Sequence, residues 1–162
     1  MKVLALDMAS RTGWAMQDDN GLVKSGTMDF RVKKTEDDSL RLRLFGDWLL
    51  QRIAEGVEMI FFEKVLFTPR FQSGAVLNEF RGVLKYIANK KGVKIYGIPV
   101  PTIKKKVAGK GSAKKNRMIA VMSHTYTDQH ILDDNQADAL GVLWVGCEMF
   151  GLPRPRNAEE LF

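Results

Sequence analysis

Hydrophobic positions along the chain switch between two periods. Val3, Leu4, Ala5 and Leu6 form a short apolar run closed by Asp7; after the turn at 8–13, Trp14, Ala15 and Met16 form a second run leading into Asp18-Asp-Asn-Gly, and a third spans 22–30. Short apolar runs punctuated by Asp, Asn and Gly predict strands joined by tight turns, so the chain opens as a three-stranded antiparallel meander. The period then lengthens. Thr35 with Asp38 three residues on predicts a capping box, and Leu40, Leu44, Phe45, Trp48, Leu49 and Ile53 recur at helical spacing, giving a first long helix from about 36 to 55. Residues 57–62 read as a buried strand closed by Glu63. Val76, Leu77, Phe80, Val83, Leu84 and Ile87 make a second helical stripe, and a fifth strand follows at 93–98. A helix from about 113 to 124 turns Met118, Ile119 and Met122 inward. A last helix starting near Asp134 buries Leu140, Leu143, Trp144 and Cys147, before Pro153 and Pro155 end regular structure.

Three antiparallel strands, then helix, strand, helix, strand and helices is an order that resembles the RNase H-like α/β fold. It predicts a central mixed sheet of about five strands flanked by helices. With 162 residues, 45% hydrophobic and 27% charged, the chain has material for one core, so residues 1–150 are expected to form a single domain and 151–162 a polar C-terminal tail. No apolar run approaches the ~20 residues of a membrane span, and the first residues are too short in apolar character for a signal peptide. The expectation is a soluble, cytoplasmic protein without a membrane partner. Cys147 is the only cysteine and His124 and His130 the only histidines, which argues against an internal disulfide and against a His/Cys zinc site.

Charge changes the picture more than composition does. The net charge of +6 is modest, yet between Lys64 and Met118 the chain carries Lys64, Arg70, Arg81, Lys85, Lys90, Lys91, Lys94, Lys104, Lys105, Lys106, Lys110, Lys114, Lys115 and Arg117 against Glu79 as the sole acid. Such a field draws polyanions, with steep salt dependence, and points to nucleic acid. The densest stretch is 101–115, where six lysines surround Gly109 and Gly111. It is expected to be a flexible loop that holds phosphate on backbone N–H groups, with Ser112 capping the helix that follows.

Three acidic positions lie at the edges of apolar elements. Asp7 ends the first strand, Glu63 ends the fourth, and Asp138 sits in the last helix one turn after Asp134. If strands one and four are parallel neighbours, Asp7 and Glu63 project at the same sheet end, and Asp134 and Asp138, at i and i+4, share a helical face. Clustered carboxylates raise one another's pKa unless a cation sits among them. Their hard oxygens suit Mg²⁺ or Mn²⁺, and two such ions about 4 Å apart activate water and stabilise the leaving oxygen of a phosphodiester. Each acid also has a plainer reading. Asp7 is a possible turn residue and Asp134 a possible helix cap. Glu63 resists this, because it directly follows Met59-Ile-Phe-Phe, where an unpartnered buried carboxylate is costly.

At this point the residues resemble the RuvC family of Holliday junction resolvases. Leu4-Ala-Leu-Asp7-Met-Ala-Ser-Arg-Thr12-Gly13-Trp is similar to the family's first motif, and Phe62-Glu63-Lys-Val to its second. Phe80-Arg81-Gly82-Val resembles the Ala-Arg-Gly helix, the 101–115 stretch the Pro-x-x-x-Lys…Gly-x-Gly-x-Ala-x-Lys segment, and Ala137-Asp138-Ala-Leu the last motif. The resemblance runs from about residue 3 to 147 in the family's order. It implies a homodimeric, Mg²⁺-dependent endonuclease, with Mn²⁺ able to substitute and two ions per active site. Four-way DNA junctions would be resolved by paired nicks, water attacking the phosphodiester to leave 5′-phosphate and 3′-hydroxyl ends. Asp7, Glu63 and Asp138 would be metal ligands, Lys115 would meet the scissile phosphate, and Lys104, Lys105, Lys106, Lys110, Ser112, Lys114 and Arg81 would contact DNA. The family's last motif usually carries a second Asp where this chain has Asn135, so the fourth ligand is either Asn135 through its carbonyl oxygen or Asp134. Phe67 stands near the family's aromatic wedge, for stacking on an opened base or for burial against the dimer partner. Three rival functions remain open: a relaxed branched-DNA nuclease, an RNA–DNA hybrid nuclease of the same fold, and a junction-binding protein that does not cut. Actin-like and sugar-kinase ATPases start similarly but need two duplicated domains, and this chain has room for one.

Overall fold

Strand periodicity organises the molecule. A computed structural model describes residues 1–65, 71–112 and 114–153, with 71–73 described in backbone only. β1 (Lys2–Asp7), β2 (Arg11–Gln17), β3 (Val23–Asp29), β4 (Val57–Lys64) and β5 (Lys94–Pro99) form one sheet in the order β3-β2-β1-β4-β5. The first three strands are antiparallel, while β1 and β4 lie side by side in parallel, as do β4 and β5. The helices are α1 (Leu40–Ala54), α2 (Phe71–Lys91), α3 (Val100–Ala108), α4 (Lys115–Thr125) and α5 (Asp134–Met149).

Side chains along β1 and β4 alternate between two cores, one per sheet face. Leu4, Leu6, Ile60 and Phe62 pack with Phe45 and Leu49 of α1 and Phe80 and Leu84 of α2. Val3, Ala5, Met59 and Phe61 pack on the opposite face with Leu140 and Leu143 of α5, Ile103 of α3 and Met118 of α4. Asp7 and Glu63 continue the parity of Ala5 and Phe61. Both acids therefore fall on the α5 face, at one end of adjacent parallel strands.

Two glycines set how closely α5 lies on that face. A Cβ on Gly13 of β2 would stand 1.8 Å from the backbone oxygen of Asn135, and one on Gly146 of α5 would stand 2.3 Å from the Phe61 ring. Helix and sheet thus touch backbone to backbone at the N-terminal end of α5, and helix backbone to aromatic ring at the other.

The structure corrects several local expectations. α1 begins at Leu40, its N-cap position Ser39 makes no side-chain cap bond, and the Thr35–Asp38 capping box does not form. Asp37 instead accepts the Ser39 amide at 2.8 Å and Glu36 the Lys33 amide at 2.7 Å, local bonds that hold this segment in turns. Lys104, Lys105 and Lys106 lie on a helix rather than in a loop. Burial of Ile103 and Val107, one turn apart, folds them into α3, with Pro101 tolerated in the first turn and Gly109 ending it at φ 76°. Ser112 is exposed and does not cap α4, whose N-cap position is Lys114. Asp134 does not cap α5 either, because Asp133 does. Phe67 and residues 154–162 of the expected tail lie outside the described residues. Among the described residues no helix is long and apolar enough to cross a membrane.

Candidate active site

The turn that follows Asp7 is fixed from within. Thr12 is fully buried; its hydroxyl donates to the Ala9 carbonyl at 2.6 Å and accepts the Ala9 amide at 3.4 Å. Asp7 pairs with Gly13 in the β1–β2 ladder, so the residue that admits α5 is also the ladder partner of the central carboxylate.

A polar clamp holds the first turn of α5 over this strand end. Asp133 accepts the Gln136 amide at 2.9 Å as N-cap, the Thr27 hydroxyl of β3 at 2.7 Å, and Arg11 Nη2 of β2 at 2.9 Å. The Gln136 side chain accepts the Leu132 amide at 2.9 Å and donates to Ser25 Oγ at 3.0 Å, while Ser25 donates to Gln129 at 2.8 Å. Sequence reasoning overlooked Asp133, Thr27, Ser25 and Gln129. The one available signal was the Asp133-x-x-Gln136 spacing, a capping-box pattern.

The clamp and the sheet bring four carboxylates into one electrostatic cluster. Burial, followed by the charges of Glu63, Asp138 and Asp134, raises the Asp7 pKa well above the usual carboxylate range. Glu63 is pushed up to about 7 by burial and then by Asp138; Lys104, a hydrogen bond with Asp7 and the charge of Arg81 pull the other way. Asp138 rises to about 6, from burial and then from Asp134. Asp134, at the rim, is held low by its hydrogen bond from Lys115. Asn135 enters differently, resting its backbone on Gly13.

The donor chemistry fits a hard divalent cation: carboxylate oxygens only, mutually repelling, with two sharing a hydrogen bond at the end of a sheet. Among the described residues no group of three or more His, Cys, Asp or Glu is already arranged to hold a metal ion.

Cations border the cluster unevenly. Lys115, with 73% of its side chain exposed, hydrogen-bonds Asp134 from the start of α4, and its charge also acts on Asp7 and Asp138. Lys104, half-buried on α3, acts on Glu63 and Asp138. Lys105, Lys110, Ser112 and Lys114 are exposed along α3 and the connection to α4. Lys106 is turned elsewhere, paired with Glu148 near the far end of α5 at 2.9 Å. Arg81 is half-buried and donates to the backbone carbonyls of Val65 at 3.1 Å and Glu63 at 3.5 Å.

Known proteins share this fold. A sequence profile described as Crossover junction endodeoxyribonuclease RuvC matches residues 3–145. No individually curated sequence matches the chain significantly. Among solved structures, the chain is similar to T. thermophilus RuvC in complex with Holliday junction substrate, at 16% identity and a TM-score of 0.76 over 96% of this chain and 99% of that one. The fowlpox virus Holliday junction resolvase aligns at 12% identity and a TM-score of 0.61, covering 92% of this chain and 99% of that one. The yeast mitochondrial Holliday junction resolvase Ydc2 aligns at 11% identity and 0.59, over 86% and 75%. At such identities the structural likeness establishes the fold, and the profile, running from β1 into α5 across every motif described above, establishes the family: the chain belongs to the RuvC crossover junction endodeoxyribonucleases.

Proposed function

We propose that this protein resolves four-way DNA junctions by paired nicks, as a homodimer using two Mg²⁺ ions per active site, with Mn²⁺ able to replace them. The observation that carries the reading is the carboxylate cluster. Three separated segments deliver Asp7, Glu63 and Asp138 to one sheet end, where burial and mutual repulsion leave them short of positive charge. Those three residues would hold the ions. Asp134 is the better candidate for the fourth donor, because its charge acts on both Asp7 and Asp138, whereas Asn135 brings no charge and packs its backbone on Gly13. Bound there, the cations supply the Lewis acidity that phosphodiester hydrolysis needs, lowering the pKa of a water and offsetting charge on the scissile group.

The remaining work falls to the chain's own side chains. Lys115 projects over the carboxylates from α4, and the reach that now takes it to Asp134 would take its ammonium to a phosphate oxygen laid on the cluster. Lys104 offsets charge on the Glu63 and Asp138 side. Exposed Lys105, Lys110 and Lys114, with Ser112, offer a path for the DNA backbone, and hydrolysis would leave 5′-phosphate and 3′-hydroxyl ends. A two-fold dimer would present two such sites to the two equivalent strands of a junction. The expected location is the cytoplasm.

Incubation with Mg²⁺ and a synthetic four-way junction, a Y-fork, an RNA–DNA hybrid or a linear duplex tests the proposal. The junction should receive two symmetric nicks that ligase can seal, while duplex and hybrid stay intact. Equal cutting of forks would broaden the substrate to branched DNA in general. Tight junction binding without any nicking would overturn the reading.

A further inference from the structure

We infer that Arg81 is a positioning residue for Glu63 and not a DNA contact, an inference that rests on the reading of Glu63 as a metal ligand. The parallel ladder between β1 and β4 ends at Leu6–Phe62, so the backbone of Glu63 extends past its β1 neighbour and keeps only the β5 pairing with Ile98. The carboxylate must nevertheless stay beside Asp7. Arg81 approaches from α2, the helix on the opposite face of the sheet from the acidic cluster, and its neighbours Phe80 and Leu84 are both buried in that core. Its Nη2 donates to the carbonyls of Glu63 and Val65, two residues apart. In extended chain such carbonyls point the same way, so one guanidinium bridges them where a neighbouring strand would have donated.

Both bonds leave one planar Nη2 group, whose two hydrogens lie in a fixed plane, whereas a lysine ammonium is a compact point charge on a flexible stem and holds two carbonyls less firmly. A side chain half-buried behind the strand and committed to two carbonyls is poorly placed to track phosphate. Lys115, exposed and in contact with Asp134, is better placed. Outer partners that orient metal ligands in this way typically contribute about 10- to 100-fold to metal affinity or activity.

Arg81→Lys and Arg81→Gln test the assignment, the first keeping charge without the planar Nη2 group and the second keeping a planar amide donor without charge. Three quantities are compared with wild type: four-way junction affinity in EDTA and its salt dependence, Mn²⁺ affinity of the DNA-free protein by calorimetry, and the single-turnover nicking rate. For both variants, junction affinity and salt slope should match wild type, Mn²⁺ affinity should fall, and nicking should slow by about 10-fold or more, with Lys milder than Gln. A drop in junction affinity with a salt slope smaller by about one would make Arg81 a phosphate contact and overturn the inference. Unchanged Mn²⁺ affinity in a variant of lower melting temperature would reduce Arg81 to a packing role and overturn it as well. Wild-type protein that neither binds Mn²⁺ nor nicks would instead refute the proposed function, which keeps the two failures apart.

Discussion

Asp7→Asn should abolish junction nicking while making the metal-free protein more stable at neutral pH. The loss of nicking is expected to reach roughly 10²–10³-fold or more, the scale on which removal of a group acting on the transition state is felt. The gain in stability follows from linkage. In the folded protein, burial and the charges of Glu63, Asp138 and Asp134 raise the Asp7 pKa, so between the ordinary value near 4 and the raised one the folded state holds more protons than the unfolded. Folding stability therefore falls as pH rises through that window, and Glu63, at about 7, and Asp138, at about 6, add to the same slope. Each unit of elevation costs the folded protein about 1.4 kcal/mol once the pH is above both values. Asparagine cannot ionise, so the variant should melt higher than wild type at pH 8 and show little difference at pH 4. Mg²⁺ should raise the wild-type melting temperature at pH 8 and leave that of Asp7→Asn nearly unmoved. Thermal melts at the two pH values, with and without Mg²⁺, check all of this; a variant that melts lower than wild type at pH 8 would mean that Asp7 is a structural residue.

Among the described glycines, Gly13→Ala should be the most disruptive substitution by alanine. The new Cβ would sit 1.8 Å from the Asn135 carbonyl oxygen, and the obstacle is helix backbone, which cannot rotate away as a side-chain tip can. Relief requires α5 to lift from β2, straining the bonds of Asp133 to Thr27 and Arg11 and carrying Asp134 and Asp138 away from Asp7. Overpacking of this kind typically costs about 1–3 kcal/mol and occasionally more, and backbone contact places this case at the upper end. Nicking should be lost even at temperatures where the variant remains folded. A chemical-denaturation curve gives the stability change, and nicking well below the melting temperature separates displacement of the helix from unfolding.

The candidate site residues were legible where local pattern decides the outcome. Asp7 and Glu63 each close an apolar run, and counting by twos from Ala5 and Phe61 places both on one face. The parallel pairing of β1 with β4 follows from element order, so their meeting could be read in advance. The α3–α4 segment was less legible. Pro101, Gly109 and a crowd of lysines favour a loop by composition, and only the burial of Ile103 and Val107 makes residues 100–108 helical. Three adjacent residues, Asp133, Asp134 and Asn135, are all competent to cap a helix. The choice of Asp133 is made by Arg11 and Thr27, which lie 122 and 106 residues away in sequence. Arg81 and Lys106, which the resemblance groups with the DNA-contacting cations, have directions in the DNA-free fold that charge density along a chain does not give. The Val65 and Glu63 carbonyls claim the first, and Glu148 the second.

Whether Asp7, Glu63 and Asp138 together bind a divalent cation is tested, without reference to DNA, by anomalous diffraction from crystals grown with Mn²⁺ at pH 8. Manganese density is expected among these three carboxylates in the wild-type protein, with its weakening or loss in Asp7→Asn. Manganese bound only elsewhere on the wild-type surface, with the three side chains left as they are in its absence, would contradict it.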